Sequence, residues 1–179
     1  MLPRPIAGSP IAMSELPSVV SETFRAAMRN LAGAVSVVAT QCDGKRTGCT
    51  VSSLVSLSVS PPTLIVLLGR DSSTARLVEK SGRFGVSLLG ESARDVAIQL
   101  SGFGAAKGEQ RFGHGRWTTL TPGGSPVAEG ALVAFECEVE EMIPRHTHMI
   151  VVGRVVAIAD TREHERPLLY WQRDYRQLA

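Results

Sequence analysis

A mainly β, antiparallel barrel with a few short flanking helices is the fold class this sequence predicts, and three observations carry the prediction. Six or seven segments read as strands and follow one another in mostly hairpin-like order, which favours a closed antiparallel barrel. The three segments with helical periodicity are too few and too short to serve as the crossovers of a parallel βαβ sheet. From Val55 to Ser60, apolar residues alternate strictly with serine, which is the two-residue period of a strand with one polar face.

Taken in order, residues 1–20 hold Pro3, Pro5, Pro10 and Pro17 and no sustained apolar period. A mobile leader is expected there, ahead of one domain over 21–179; it lacks the apolar centre of a secretory signal. Ser21 is a candidate N-cap for a helix to Asn30 that places Phe24, Ala27, Met28 and Leu31 on one face, expected to pack as ordinary core. Ala34 to Thr40 is a β-branched apolar run, Cys42-Asp43-Gly44-Lys45 has turn chemistry, and extended structure resumes at Thr47, which together predict a hairpin. After Val55–Ser60 comes a strand over Thr63–Leu68, then a helix capped by Ser72 or Ser73 and running to about Ser81 with Ala75, Leu77 and Val78 inward. Phe84–Leu89 returns as a strand, Ser92–Leu100 as a short helix, and residues 101–108 form a Gly-rich loop. Ala131–Ile143 and Thr147–Ala159 are two long strands joined near Pro144, and Leu168–Gln172 adds a last one.

Composition removes several classes of function. With 179 residues the chain buries enough surface to fold without disulfides or a structural metal. A net charge of +2 gives no global field for nucleic acid or an acidic membrane. Thr47 to Gly69 carries no charge, yet its many hydroxyls and Pro61-Pro62 argue for buried β structure rather than a membrane span. Cys42, Cys49 and Cys137 are odd in number and form no CxxC pair, so free thiols in a reducing cytoplasm are expected.

The familiar nucleotide and hydrolase motifs are missing. Gly102 to Gly108 follows a helix and has Lys107 at the third-glycine position, so it is rejected as a dinucleotide fingerprint. No GxxxxGK[ST], GxSxG or HExxH occurs. His146 and His148 are two apart on an expected strand and would share a face, but no third ligand is apparent, and no metal site is assigned. The hydroxyls of Thr50 to Ser60 have two readings: they satisfy backbone groups in the strands, or they converge with main-chain amides on a phosphate or a polar ring edge. In the second case Ser72-Ser73-Thr74, opening a helix, would turn the positive end of its dipole toward the same anion.

Ordered motifs then cover Phe24 to Leu178: Phe24-Arg-x-Ala-Met28, Gly33-Ala-Val-x-Val-Val38, and Gly48-x-Thr-x-Ser-Ser-x-x-Ser-x-Ser-x-x-Pro-Pro62. They continue with Arg111-Phe112, Trp117, Gly130-Ala-Leu132, Thr147-His148-x-Ile-x-x-Gly153-x-Val155, and Pro167-Leu-Leu-Tyr-Trp171 ahead of Tyr175. On these residues the chain resembles the short-chain flavin reductases, the reductase components of two-component flavin-dependent monooxygenases. The resemblance implies an FMN-binding split β-barrel, antiparallel and Greek-key-like, in a cytoplasmic homodimer with flavin at the subunit interface. It implies hydride transfer from NADH or NADPH to FMN or FAD, and delivery of reduced flavin to a partner monooxygenase.

By the same resemblance the isoalloxazine ring is cradled by Thr50, Val51, Ser52, Ser53 and Leu54, with Ser56 nearby and the phosphate end at Ser72 and Ser73. Phe112 and Tyr175 match aromatic positions close to the flavin, although core or dimer packing would equally employ them. His148 matches the histidine that relatives place against the nicotinamide, commonly in Gly-Asp-His, where this chain has His146-Thr147-His148. Without the aspartate, His148 is expected to act by hydrogen bonding and packing rather than as a cation. The sequence leaves FMN against FAD, and NADH against NADPH, undecided. Two rivals also stand at this point: a split-barrel ferric reductase or oxidase with tightly bound flavin, and a noncatalytic flavin-binding module.

Overall fold

A computed structural model describes residues 18–102, 106–160 and 165–178. The expected leader therefore lies outside the described residues up to position 17, as does part of the Gly-rich loop, at 103–105.

The hairpin at Asp43-Gly44 is present. Both residues have positive φ, 52° and 71°, and join β2 (Ser36–Cys42) to β3 (Lys45–Val51) with Cys42 opposite Lys45. Two successive left-handed residues give a turn whose twist matches the paired strands, and glycine adopts that conformation without strain. Beyond it run β4 (Val55–Val59), β5 (Pro62–Gly69), α2 (Ser73–Ser81), β6 (Arg83–Leu88), α3 (Arg94–Leu100), β9 (Val133–Arg145) and β10 (His148–Asp160). A single antiparallel sheet of seven strands has the order β3-β2-β6-β9-β10-β5-β4.

Val38, Val66, Val86, Cys137 and Val151 point to the inside of this sheet with Phe84. Val35 just ahead of β2, and Val37 and Ala39 within it, face outward onto Val96, Ala97 and Leu100 of α3 and onto Phe112. Burial on both faces is why the sequence shows a continuous apolar run there instead of alternation. At Gly153, next to a register shift between β10 and β9, a Cβ would land in the Phe84 ring, so this position of the Thr147–Val155 motif admits only glycine against that core.

Four expectations are corrected. The first helix, α1 (Ser21–Met28), buries none of its residues: Phe24 is 58% and Leu31, just beyond it, 66% exposed, and Val20 rather than Ser21 stands at the N-cap. Within the stretch expected to be buried β structure, β4 is an exposed edge strand, with Val55, Leu57 and Val59 all more than half exposed. The closed barrel read from the strand pattern is open along one line, because its edge strands β3 and β4 do not pair with each other. The turn between β9 and β10 falls at His146-Thr147, and Pro144 is still within β9, opposite Met149. The sequence also hid β1 (Gly33–Ala34), β7 (Trp117–Thr118), β8 (Val127–Ala128) and β12 (Asp174–Arg176), each too short to show a period. Of these, β1 and β12 flank β11 (Leu169–Trp171) in a second small sheet. No helix among the described residues is long and apolar enough to cross a membrane.

Candidate functional site

The seam in the barrel is a groove of about 410 Å³. The end of β3 and the residues after it, Cys49 to Ser53, form one wall; Leu67 to Gly69 of β5 form the other, and Ser72 and His148 complete it. As an edge strand, β3 turns alternate backbone amide and carbonyl groups toward the groove with no strand opposite them. The Ser53 hydroxyl fixes the distance across the seam. It donates to the Leu67 carbonyl and accepts from the Leu67 amide, both at 3.2 Å, as a strand partner would.

At one end of the groove the chain turns into α2. Ser72 donates its amide to the Gly69 carbonyl (3.0 Å), and its hydroxyl accepts from the Ala75 amide (3.0 Å) as the helix N-cap. The other first-turn amides of a helix have no intrahelical acceptor, so this end carries a partial positive charge beside the groove. Ser73 is directed elsewhere, 3.0 Å from the Thr47 hydroxyl.

His148 is the first residue of β10 and lies opposite Gly69 on one side and Arg145 on the other. Its Nδ1 is 2.9 Å from the Thr147 hydroxyl, which leaves Nε2 as the ring nitrogen open to a ligand. Thr147 thus supplies a neutral hydrogen-bond partner to the ring. His146 has φ 50° in the turn, so the pair does not share a strand face as the spacing predicts. Among the described residues no three His, Cys, Asp or Glu side chains gather as a metal site would require.

Two further cavities adjoin the groove through Ser52. One, of about 250 Å³, is lined by Thr50, Val51 and Ser52 with Tyr170 and Tyr175. The tyrosine rings meet edge to face at 5.5 Å, and the Arg94 guanidinium is 5.6 Å from the Tyr175 ring. Burial pushes the Tyr175 phenol pKa up, against the smaller opposing effect of Arg94. The second cavity, about 510 Å³, runs under α1 between Gly33, Ser36, Ser52, Leu54 and Tyr170. Ser36 is fully buried there, and its hydroxyl has no hydrogen-bond partner in the structure. A buried polar atom left in that condition costs free energy unless something else meets it.

The structure separates the residues singled out by sequence. Val51, Ser52, Ser53, Ser72 and His148 converge on the groove, and Tyr175 lines the cavity next to it. Thr50 reaches both spaces, but its hydroxyl donates to the Ala97 carbonyl at 2.7 Å and so holds α3 to β3. Leu54 packs against the barrel core, and Ser56 is exposed on β4, outside all three spaces. Phe112 is 4% exposed and serves as core: it packs edge-on to Trp117 at 4.8 Å, under the Arg46 guanidinium.

Sequence reasoning passed over Cys49, Gly69, Ser36 and Tyr170. Gly69 closes the apolar run of β5, and Tyr170 stands in the Pro167–Trp171 motif, so both had a visible signal. Cys49 looked like one of three idle thiols. Burial pushes its pKa up, while a hydrogen bond with Thr74 works in the opposite direction.

Residues 28–179 match the model of the flavin reductase like domain family. An FMN reductase (NADH) RutF from Ancylobacter novellus is 35% identical over 166 residues, covering 93% of this chain and 90% of that protein. A flavin reductase (NADH) from Kitasatospora aureofaciens is 34% identical over 178 residues, covering 98% of this chain and 90% of its own length. Among solved structures, the styrene monooxygenase flavin reductase of Pseudomonas putida S12 superposes with a TM-score of 0.76 at 33% identity, covering 88% of this chain and 97% of the other. With the family match spanning nearly the whole domain and the same barrel seen in a solved relative, this chain belongs to the flavin reductase like domain family.

Proposed function

We propose that this protein is a cytoplasmic NADH- or NADPH-dependent flavin reductase, which reduces FMN or FAD and supplies the reduced flavin to a separate flavin-dependent monooxygenase. One observation carries the proposal: an open groove brings edge-strand amides, a capped helix N-terminus and an available imidazole nitrogen together. Those donors suit a planar, polar-edged ring that ends in a phosphate. The volume is within the range of small-molecule sites, and the orphaned Ser36 hydroxyl behind Ser52 is a further polar group for a ligand to meet.

Hydride transfer from nicotinamide to flavin is chemistry that the two cofactors supply themselves when bound. The protein has to bind, orient and polarise. The amides and hydroxyls of residues 51–53 would hold the polar edge of the ring, where donors stabilise negative charge as it develops. Ser72 and the first turn of α2 would take the phosphate. His148 would hold the nicotinamide over the open side through Nε2, supplying one part of the ring-on-ring alignment that as a whole contributes on the order of 7–11 kcal/mol to rate.

A homodimer belongs to the same proposal. The exposed Val55, Leu57 and Val59 of β4 lie beside β5, where Leu67 is 38% exposed and also lines the groove. A second copy on that apolar face would cover the outer side of the groove and shield the ring from water.

The test is anaerobic bleaching of flavin absorbance. With catalytic amounts of protein, NADH or NADPH should bleach added FMN or FAD over many turnovers. Protein that stays yellow through dialysis and reduces only its own flavin would support the tightly bound alternative. Protein that binds flavin without bleaching would be a noncatalytic module.

A further inference from the structure

Arg145 is the cross-strand partner of His148 where β9 meets β10. Directly opposed residues of an antiparallel pair project from the same side of the sheet, with Cβ atoms about 4.5–5.5 Å apart. The Arg145 side chain therefore rises beside the imidazole on the groove side. It is exposed, and one guanidinium nitrogen donates to the Pro144 carbonyl at 2.8 Å, which steadies the head and leaves the remaining N–H groups for a ligand.

A second cation stands close by. Arg70 follows Gly69 out of the groove wall, and its amide donates to the Thr147 carbonyl at 2.9 Å, fixing that turn to the β9–β10 hairpin. Some surface arginines are matched by carboxylates, as Arg46 is by Glu109, Arg83 by Glu138 and Arg116 by Glu129. Among the described residues, neither Arg145 nor Arg70 makes an ion pair. The Arg145 guanidinium is thus uncompensated beside the one imidazole of the groove, and a second arginine without an ion pair joins the chain one residue beyond the groove wall.

We infer that Arg145, assisted by Arg70, binds the pyrophosphate of the pyridine dinucleotide whose nicotinamide ring lies at His148. The inference rests on the proposed reductase activity and adds to it the anchor for the reductant. A nicotinamide ring held at His148 carries its phosphates one ribose away, within reach of an adjacent strand's arginine. Guanidinium is the side-chain group whose planar fork best matches phosphate oxygens. The flavin phosphate is assigned to the other feature of the groove, the N-terminus of α2.

The experiment compares two hydride donors on wild-type protein, Arg145→Gln and Arg145→Lys. NADH carries the pyrophosphate; 1-benzyl-1,4-dihydronicotinamide has the same reacting ring and no charge. In Arg145→Gln the KM for NADH should rise about tenfold with kcat within about twofold, as loss of a charge-assisted hydrogen bond at an exposed site implies. Kinetics with the uncharged donor and the Kd for FMN should be unchanged, and Arg145→Lys should recover part of the NADH affinity. The inference is overturned by an unchanged KM for NADH, by an equal loss with both donors, or by weakened FMN binding in place of weakened NADH binding. Wild-type protein inactive with both donors would instead count against the reductase activity itself, and the inference would fall with it.

Discussion

His148 owes its place to a single register. Opposite Gly69 it meets no side chain from β5, so the ring is free to face the groove, and Thr147 holds Nδ1 in place. His148→Ala should therefore lower NADH-dependent turnover by about tenfold or more, in the range for loss of a positioning contact, while the flavin Kd stays within about twofold. Steady-state rates at saturating flavin, beside a fluorescence-quenching titration, separate the two quantities. Equal kinetics in the variant would remove His148 from the site. Cys137 shows a different residue-scale effect. Its burial, reinforced by the neighbouring Glu136 carboxylate, pushes the thiol from an ordinary 9.0 up to about 12. The unfolded chain then releases that proton first, so stability is flat below about pH 9 and falls as pH rises from there toward 12. Urea midpoints at pH 8 and pH 10.5 should show this loss, and Cys137→Ala should lessen it; an identical alkaline loss in the variant would mean other groups cause it.

At the scale of elements, α2 is the one that serves both stability and the site. Ser72 caps it and lines the groove. Ser72→Ala should destabilise the protein by about 1 kcal/mol through the lost cap. It should also weaken FMN binding more than riboflavin binding, because only FMN brings a phosphate to that helix end; equal weakening of both would place the phosphate elsewhere. This element was legible in the sequence in its cap, its length and the inward Ala75 and Val78, though Leu77 is only half-buried, because a capping serine and an apolar period are local signals. The hairpin at Asp43-Gly44 was legible for the same reason. What failed were statements about faces. The alternation on β4 shows two sides but not that the strand lies at an exposed edge, and the periodicity of α1 shows an apolar stripe but not what covers it. Phe112 stayed open on similar grounds, since an aromatic beside a motif reads alike whether it touches a ligand or packs in the core, and here it packs with Trp117 behind β3. The groove itself arises from strands that do not pair, and a missing long-range contact leaves no local mark on a sequence.

Over the whole molecule, two facts about α1 and β4 point the same way. A helix with no buried residue and an edge strand with Val59 87% exposed leave apolar area that the described residues do not cover. Dimerisation through this face predicts that wild-type protein sediments at twice the chain mass, and that Leu57→Lys with Val59→Glu gives a folded monomer. Flavin binding by that monomer should be weaker by about tenfold or more, since the groove loses its outer cover and exposed polar contacts count for less. A monomeric wild type with full activity would contradict this. Family membership was legible because ordered motifs run along nearly the whole chain, whereas the proposed homodimer would depend on a surface whose partner is not in the sequence pattern.

The most direct measurement is the crystal structure of the protein soaked with FMN. The account predicts density for the ring along Cys49–Ser53 with its phosphate at the first turn of α2, next to Ser72, and His148 facing the open side of the ring. A ring bound away from the seam, or an empty groove at FMN concentrations that quench flavin fluorescence in solution, would contradict it.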